Sequence, residues 1–245
     1  MAEAKTEQTE KRKAKVTTGL GALDTMLGGL PNGIIILLVG EPGSGSDIFA
    51  QQILHAQASK GDSKIAYLTV EKPPDDIQSE MTVRNWEVDS LIGNGNWQFI
   101  DGFTPRINVS KGNAGPKAVL DILTKNLLNS VKDDRWTAID TLSYFLANFE
   151  MKDVISVIDD LILEARERGG LHFLLAVPGL QDDRILASMS HLVDGVFEFK
   201  LRADQTDPLG EMRIKKLNKA EHVTRLIPYR IGPNGLVIET AKRIA

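Results

Sequence analysis

The sequence predicts an α/β protein whose mostly parallel, twisted sheet is flanked by helices and ends in antiparallel C-terminal edge strands. Apolar runs of strand length alternate with segments of helical periodicity, which is typical of repeated strand–helix units. The run Ile34–Val39 holds no polar residue, as expected for a strand buried on both faces. From Gly195 onward the pattern changes to short strands separated by turn residues such as Pro233-Asn234-Gly235. These last strands are therefore expected to add the antiparallel edge.

The individual strands follow from short apolar segments bounded by turn residues. In chain order they are Ile34–Val39, Ile65–Val70, Trp97–Ile100, Trp136–Ile139, Leu171–Val177, Val196–Leu201, Met212–Leu217, Arg225–Ile231 and Leu236–Thr240. Helices between them are predicted where apolar residues recur three or four positions apart, as in Val154, Ile158 and Leu161. Gly169-Gly170 is the expected end of that long helix.

One domain is expected over residues 16–240, between a flexible tail of residues 1–15 and a short C-terminal tail of residues 241–245. The first fifteen residues show no apolar periodicity, which is typical of a mobile terminus. A chain of 245 residues can bury a sufficient core without a metal or disulfide. It contains no cysteine, which excludes disulfides, iron–sulfur clusters and thiol catalysis.

Charge and hydropathy favour a soluble, cytoplasmic protein without a membrane partner. The net charge is −4, so there is no global argument for binding nucleic acid or an anionic membrane. The longest apolar run is too short to cross a bilayer, and the first residues lack the apolar core of a signal peptide. The histidines lack metal-ligand spacing, so no metal site is predicted; His172 and the tryptophans Trp86 and Trp97 are expected in the core.

A glycine-rich segment predicts a phosphate-binding loop. Residues 40–47, GEPGSGSD, follow a buried strand and open a helix, which is the context in which GxxxxGK[ST] binds phosphate. The glycines let successive backbone N–H groups turn inward, and the helix N-terminus adds positive potential. The predicted cofactor-binding residues are Gly40, Gly43, Ser44, Gly45, Ser46 and Asp47.

Two side chains in this loop differ from the phosphate-binding pattern. Ser46 stands where lysine contacts the β- and γ-phosphates, and Asp47 stands where Ser or Thr holds Mg²⁺. At about 4 Å and an effective dielectric near 20, each charge change is an interaction of roughly 4 kcal/mol before solvation offsets it. If about a quarter survives, Mg-ATP affinity falls by about an order of magnitude or more. Asp47 also suits the free N–H groups of the first helical turn, so the loop is expected to be stable when empty.

Beyond this loop, several segments match one known family in the right order between about residues 16 and 240. They are Thr18–Asp24, Gly28–Gly33, Phe49–Leu54, Tyr67–Glu71, Asn85-Trp86, Phe99–Asp101, Ala138–Ser143 and His191–Val196. With them the chain resembles the KaiC-like branch of the RecA superfamily. The resemblance implies a RecA-like P-loop NTPase fold. It also implies a family that often forms hexameric rings with ATP between neighbours and serves clock, signalling, motility or recombination-related roles.

Two acids match the catalytic positions of this family. Asp140 ends an apolar strand and resembles the Walker B aspartate that supports Mg²⁺ through water; an aspartate that caps the next turn would look the same. Glu71 resembles the first of two acids that prepare the attacking water, and Lys72 replaces the second. Glu71 and Asp140 are therefore predicted to be residual catalytic acids without activity. Lys72 is expected on the strand beside the phosphate loop, where it either bridges Asp47 and Asp140 or points to solvent.

Two further segments depart from the family pattern. The stretch Lys216–His222 resembles one whose basic residues reach a neighbour's γ-phosphate, but Asn218 replaces its arginine, the better phosphate ligand. Val177-Pro178 stands where a polar sensor is usual. Together with Ser46 and Asp47, these departures favour a chain that no longer hydrolyses ATP.

The leading prediction is a catalytically impaired RecA/KaiC-like protein, a pseudo-ATPase with a degenerate Walker A motif and a regulatory or scaffold role. Its expected partners are a second copy, an active paralogue or another protein. One alternative is a non-standard ATP-binding protein or weak ATPase in signalling, with weakly bound ATP and magnesium, in which Asp47 ligates Mg²⁺ and Lys72 or a neighbour's Lys216 replaces the missing lysine. Another is a recombinase paralogue that assists DNA repair, which the net negative charge disfavours.

Overall fold

The computed structural model of the chain describes residues 15–61, 63–202, 209–221 and 223–239. Residues 1–14 of the predicted N-terminal tail, the predicted C-terminal tail of residues 241–245, and His222 lie outside the described residues. Lys15, the last residue of the predicted N-terminal tail, is the first residue of a short strand.

The strands in the described part of the chain agree with the predicted ones to within about two residues at most ends. They are β1 (Lys15–Val16), β2 (Leu30–Pro31), β3 (Ile34–Gly40), β4 (Lys64–Thr69), β5 (Trp97–Asp101), β6 (Arg135–Asp140), β7 (Leu171–Ala176), β8 (Gly195–Arg202), β9 (Leu209–Leu217), β10 (Ile227–Gly232) and β11 (Gly235–Ile238). β1 and β2 form a separate antiparallel pair for which no strand was predicted.

The helices are α1 (Gly21–Leu27), α2 (Ser46–Ser59), α3 (Pro74–Val83), α4 (Asp89–Gly93), α5 (Phe103–Ser110), α6 (Lys117–Asp121), α7 (Leu128–Lys132), α8 (Leu142–Asn148), α9 (Met151–Arg168) and α10 (Asp183–Leu192). α6 and α7 are joined by a π-helical segment, Ile122–Leu127. α9 ends at Arg168 and is followed by the capping residue Gly169, whose φ is 84°, as its sequence predicts. None of the helices in the described ranges is long and apolar enough to cross a membrane.

The main sheet has the order β11-β10-β9-β8-β3-β7-β6-β4-β5. Its centre is parallel: β3 pairs with β7 and β8, β6 with β7 and β4, and β4 with β5. The pairs β8–β9, β9–β10 and β10–β11 are antiparallel. The predicted fold class, a mostly parallel sheet with an antiparallel C-terminal edge, is therefore confirmed.

The core lies in two apolar layers, one on each face of the sheet. Phe49 of α2 packs in one layer against Phe173, Phe197 and Phe199 of the sheet. In the other layer α8 and α9 bury Phe145, Leu161 and their neighbours against the alternate side chains of the same strands. All seven residues of β3 are buried, and β3 is the middle strand of the sheet. Burying one side chain of the size of Phe49 contributes roughly 2–3 kcal/mol.

Three predictions of core position are confirmed. Trp86 and Trp97 are buried in the layer around α2. His172 is fully buried; its Nδ1 lies 2.9 Å from Thr137 Oγ1 and its Nε2 lies 3.1 Å from the Gly169 carbonyl oxygen. Because burial disfavours the charged imidazole, the pKa of His172 falls to about 4.

The prediction that Lys72 lies on the strand beside the phosphate loop is wrong. Two strands, β7 and β6, separate β4 from β3, the strand that leads into that loop. Lys72 also lies beyond the end of β4, which is Thr69. The error has a topological cause, since strands that follow each other in a doubly wound sheet need not be neighbours.

Candidate phosphate-loop site

The candidate site lies at the carboxyl edge of the parallel strands, where doubly wound proteins bind ligands. β3 ends at Gly40 and β6 ends at Asp140, and the intervening β7 runs parallel to both. The phosphate loop leaves β3 at this edge and ends where α2 begins, at Ser46. The topology thus brings the loop and the predicted Walker B acid to one edge of the sheet.

The backbone of the loop has the form that its glycines predict. Gly43 and Gly45 have φ angles of 81° and 82°, in the left-handed region that disfavours side chains. Gly45 precedes α2, and no side chain caps the helix start. Asp47 lies in the first turn of α2, where the helix dipole favours a negative charge.

The two serines of the loop both lie close to Gly40. A Cβ atom added to Gly40 would lie 2.5 Å from Ser44 Oγ and 2.5 Å from Ser46 Oγ. Ser44 is fully buried, and its hydroxyl has no hydrogen-bond partner within the described parts of the chain. The short Ser46 side chain, in the lysine position, thus lies against the first glycine of the loop.

Asp140 is held by a tyrosine from the neighbouring strand. The Tyr67 hydroxyl donates to Asp140 Oδ2 at 2.7 Å, and Gln51 Nε2 of α2 donates to the Tyr67 hydroxyl at 3.2 Å. Burial raises the pKa of Asp140 to about 7; the Tyr67 hydrogen bond opposes this rise and the Asp47 carboxylate adds to it. Burial and the Asp140 charge in turn raise the pKa of Tyr67. Near neutral pH, Asp140 is therefore only partly ionised.

Asp140 does not cap the helix that follows it. Thr141 is the N-cap residue of α8, and its hydroxyl accepts from the Ser143 backbone N–H at 3.2 Å. The alternative interpretation of Asp140 as a capping residue is therefore wrong. Its carboxylate lies beside Tyr67 at the strand end, in the place that the family resemblance predicts for the Walker B acid.

Lys72 does not make the bridge that was one of its two predicted roles. Its ammonium pairs with Glu80 Oε1 of α3 at 2.5 Å, and its side chain is 47% exposed. The ion pair thus lies on the surface, whereas Asp140 takes its hydrogen bond from Tyr67. Glu71, the other predicted residual catalytic acid, is exposed in the turn between β4 and α3.

The predicted inter-subunit stretch is engaged within its own chain. Lys216 Nζ donates to the carbonyl oxygens of Ser190 and His191, at 3.2 and 2.8 Å, at the end of α10. The Asn218 backbone N–H donates to the Asp194 carbonyl oxygen at 2.8 Å. Cations near a helix C-terminus are stabilising, so Lys216 has a local structural partner.

The backbone of the phosphate loop suits Mg-ATP better than its side chains do. The left-handed glycines and the start of α2 suit a phosphate, whereas Ser46 offers no positive charge and Asp47 adds a negative one. No group of three or more histidines or acids is arranged to hold a metal ion in the parts of the chain that the structure describes. The backbone fits the cofactor, and the side chains do not.

The sequence analysis did not identify the residues whose hydrogen bonds support Asp140 and the phosphate loop. Tyr67 donates to Asp140 and itself accepts from Gln51, and Tyr229 of β10 donates to the Ser44 carbonyl oxygen of the loop. Tyr67 and Tyr229 occupy buried strand positions where an aromatic residue is ordinary packing. Only the strand order reveals that their hydroxyls reach the loop and Asp140.

Comparison with known proteins agrees with this geometry. The family model for the KaiC ATPase matches residues 16–243. The chain belongs to the KaiC ATPase family. A UPF0273 protein of Thermotoga maritima is 26% identical over 244 residues, covering 91% of this chain and 95% of its own length. The circadian clock protein KaiC3 of Synechocystis is 33% identical over 88 residues, which span 36% of this chain and 17% of KaiC3.

A solved structure supports the same fold. The KaiC-like protein PH0186 of Pyrococcus horikoshii matches with a TM-score of 0.75 and 20% identity, covering 93% of this chain and 100% of that structure. The chain therefore has the fold of a KaiC-like, RecA-superfamily ATPase domain.

Proposed function

We propose that this KaiC-family chain is a pseudo-ATPase, a catalytically impaired member with a regulatory or scaffold role in which Mg-ATP binding is weak or absent. The observation that carries the proposal is the start of α2, where Ser46 and Asp47 stand in place of the lysine and the magnesium ligand. The Walker A motif is thus degenerate in side chains while its backbone is retained.

The charges around the loop support this proposal. The negative charges of Asp47 and Asp140 repel each other. Burial raises the pKa of Tyr229, and the negative charge of Asp47 raises it further. Lys72, one of the two replacements for the missing lysine that the sequence suggested, is paired with Glu80. A triphosphate would meet acids without the lysine that normally offsets its charge.

A non-standard ATP-binding protein is the second candidate. The observation that favours it is the retained loop conformation, since Gly43 and Gly45 keep the left-handed geometry that presents N–H groups to phosphate. In this alternative Asp47 ligates Mg²⁺ directly. The two candidates differ in one measurable quantity, the affinity of the natural chain for Mg-ATP.

Calorimetry with Mg-ATP tests the proposal on the natural chain and the S46K/D47T variant. We expect no binding tighter than about 1 mM by the natural chain and binding at least about tenfold tighter by S46K/D47T, because the variant restores the cation and removes the anion. The matched control is S156K/D160T, which makes the same chemical change at two exposed positions of α9. It should leave the affinity unchanged.

Micromolar binding by the natural chain, unchanged or weakened in S46K/D47T, would exclude the pseudo-ATPase and establish the second candidate. Binding gained equally by S156K/D160T would show that net charge, and not the loop, controls affinity.

The regulatory or scaffold role requires an assembly that does not depend on nucleotide. We propose that the chain associates with itself or with an active paralogue. Solution mass measured with and without Mg-ATP tests this: a mass above that of one chain, equal under both conditions, supports it. A monomer that stays monomeric when mixed with a KaiC-family ATPase contradicts it, and salt-dependent binding to single-stranded DNA would favour the recombinase alternative.

A further inference from the structure

The C-terminal strands pack directly on the phosphate loop. The hydroxyl of Tyr229, a buried residue of β10, donates to the carbonyl oxygen of Ser44. Ile231 of the same strand reaches the next residue, since a Cβ atom added to Gly45 would lie 2.8 Å from Ile231 Cδ1. The peptide between Ser44 and Gly45 is therefore held from one side by β10.

The hairpin of β10 and β11 is itself fastened to α2. Gln52 makes two hydrogen bonds to the Leu236 backbone: its Oε1 accepts from the N–H at 2.7 Å and its Nε2 donates to the carbonyl oxygen at 3.3 Å. At the hairpin turn, Asn85 Nδ2 donates to Asn234 Oδ1 at 2.8 Å. Gly235 lies so close to Trp86 that an added Cβ would come within 2.6 Å of its ring. The hairpin is thus fixed at both its strand and its turn.

We propose that the β10–β11 hairpin is an internal clamp that keeps the phosphate loop in its phosphate-binding shape without a ligand, with Tyr229 as the positioning residue. A loop with two left-handed glycines has many conformations open to it. A bound phosphate would restrict these conformations through the loop N–H groups, whereas Tyr229 restricts them through the Ser44 carbonyl oxygen. The proposal rests on the proposed function in one respect: the clamp explains how a loop that repels triphosphate keeps its shape.

The burial of Tyr229 makes this contact costly to break. When the loop moves away, the phenol loses its acceptor inside the apolar layer that contains Phe199 and Met212. An unsatisfied buried donor is unfavourable, so loop movement must also displace the hairpin. The hairpin in turn is held by Gln52 and Asn85, which lie in α2 and just after α3.

Hydrogen exchange on the nucleotide-free full chain tests the clamp. The reporters are the amides of Ser44 and Phe49, which donate to the carbonyl oxygens of Glu41 and Gly45 at 2.9 Å each. In Y229F we expect both amides to exchange about fivefold to tenfold faster, because one buried hydrogen bond to the loop is lost. The amides of β7, Leu171–Ala176, report global opening and should keep their rates.

Y144F is the matched control, since Tyr144 packs in the layer on the opposite face of the sheet. It should leave the loop amides unchanged. I231A is a second variant that removes a 39% exposed side chain and keeps the clamp testable if Y229F does not fold. In I231A we expect a smaller acceleration, about twofold to threefold, confined to the same two amides.

Unchanged loop exchange in Y229F and I231A, or equal acceleration of the loop and of β7, would overturn the clamp. Mg-ATP calorimetry distinguishes this failure from that of the proposed function. Tight nucleotide binding by the natural chain removes the pseudo-ATPase but leaves the exchange result of the nucleotide-free chain intact.

Discussion

Two carboxylates at opposite edges of the sheet, the buried Asp194 and the partly buried Asp140, have different surroundings. Asp194, just before β8, has a side chain only 3% exposed; its Oδ1 accepts from Arg166 Nη2 at 2.6 Å, and its Oδ2 accepts from Arg166 Nη1 and the Ile35 backbone N–H at 3.0 Å each. Asp140, at the end of β6, accepts from the Tyr67 hydroxyl. An arginine neutralises Asp194 through direct hydrogen bonds, whereas the hydrogen-bond donor to Asp140 is a neutral phenol. Besides burial, the charges of Asp47 and Glu71 raise the pKa of Asp140, and that of Lys72 lowers it.

This difference identifies Asp194 as a residue that stabilises the fold. The Arg166 guanidinium also donates to the Gly33 carbonyl oxygen at 2.6 Å, so it ties α9 to the strand that leads to the phosphate loop. Charge and hydrogen bonds are satisfied there, and the fold depends on them. Asp140 forms no ion pair with a cation in the described parts of the chain, and a carboxylate with a perturbed pKa at a strand end is a candidate site residue.

The largest effect is expected from breaking the satisfied pair. In D194A the guanidinium of Arg166 loses its partner and the Ile35 N–H loses its acceptor, so the free energy of unfolding should fall by about 3–5 kcal/mol. Urea denaturation measures this loss. D121A, which removes the partly exposed partner of the exposed Lys125, is the control and should cost about 0.5 kcal/mol or less. A loss below about 1 kcal/mol in D194A would show that Asp194 contributes no more to the free energy of unfolding than a surface acid does.

An intermediate effect is expected from pH at Asp140. The unfolded carboxyl ionises near its ordinary pKa of 3.8, whereas the folded one keeps its proton up to about pH 7. The folded state therefore binds more protons in this window, and its stability falls as pH rises from about 4 to 7.

In D140N this pH-dependent loss disappears. As the pH rises from 4.5 to 8, the free energy of unfolding of D140N should increase by about 3 kcal/mol relative to that of the natural chain. Urea denaturation at several pH values measures the gain, with D159N of α9 as an exposed control. A difference between D140N and the natural chain that stays constant with pH would mean that Asp140 is ionised throughout, like a paired carboxylate.

The smallest effect is expected from the surface cation near the site. Lys72 is half exposed and paired with Glu80, so a double-mutant cycle of K72A and E80A should give a coupling of about 0.2–1 kcal/mol. A cycle of K72A and D47A should give a smaller coupling, since these two charges attract each other without forming an ion pair. Should the second coupling exceed the first, Lys72 would bridge the acids of the loop after all, and Asp140 would have the cation that Asp194 has.

Local sequence predicted the strands and the loop because both depend on neighbouring residues. An apolar run such as Ile34–Val39 must be buried, and glycines at 43 and 45 permit the left-handed turn wherever the loop lies. Asp140 was found because it ends such a run. The position of Lys72 was wrong because strand order depends on long-range packing that no short segment encodes.

The residues that hydrogen-bond to Asp140 and to the phosphate loop could not be predicted from local sequence. Tyr67 is 73 residues from its acceptor Asp140, and Tyr229 is 185 residues from its acceptor Ser44. In its local sequence, each tyrosine has the pattern of an ordinary core aromatic. α10 was not predicted, since among its residues only Met189 is fully buried and its apolar pattern is short. A hydrogen bond between distant strands leaves no periodic signal in the sequence.

The helix that begins at Ser46 contacts both the first and the last described segments of the chain. Gln57 Nε2 donates to the Thr17 carbonyl oxygen at 2.5 Å, and Gln52 bonds to Leu236, 184 residues later. During synthesis, one side of this helix consequently stays uncovered until the final strands have left the ribosome. A nascent chain can form β3 and the helix early, yet the loop between them acquires its native neighbours only after β10 and β11 have been made.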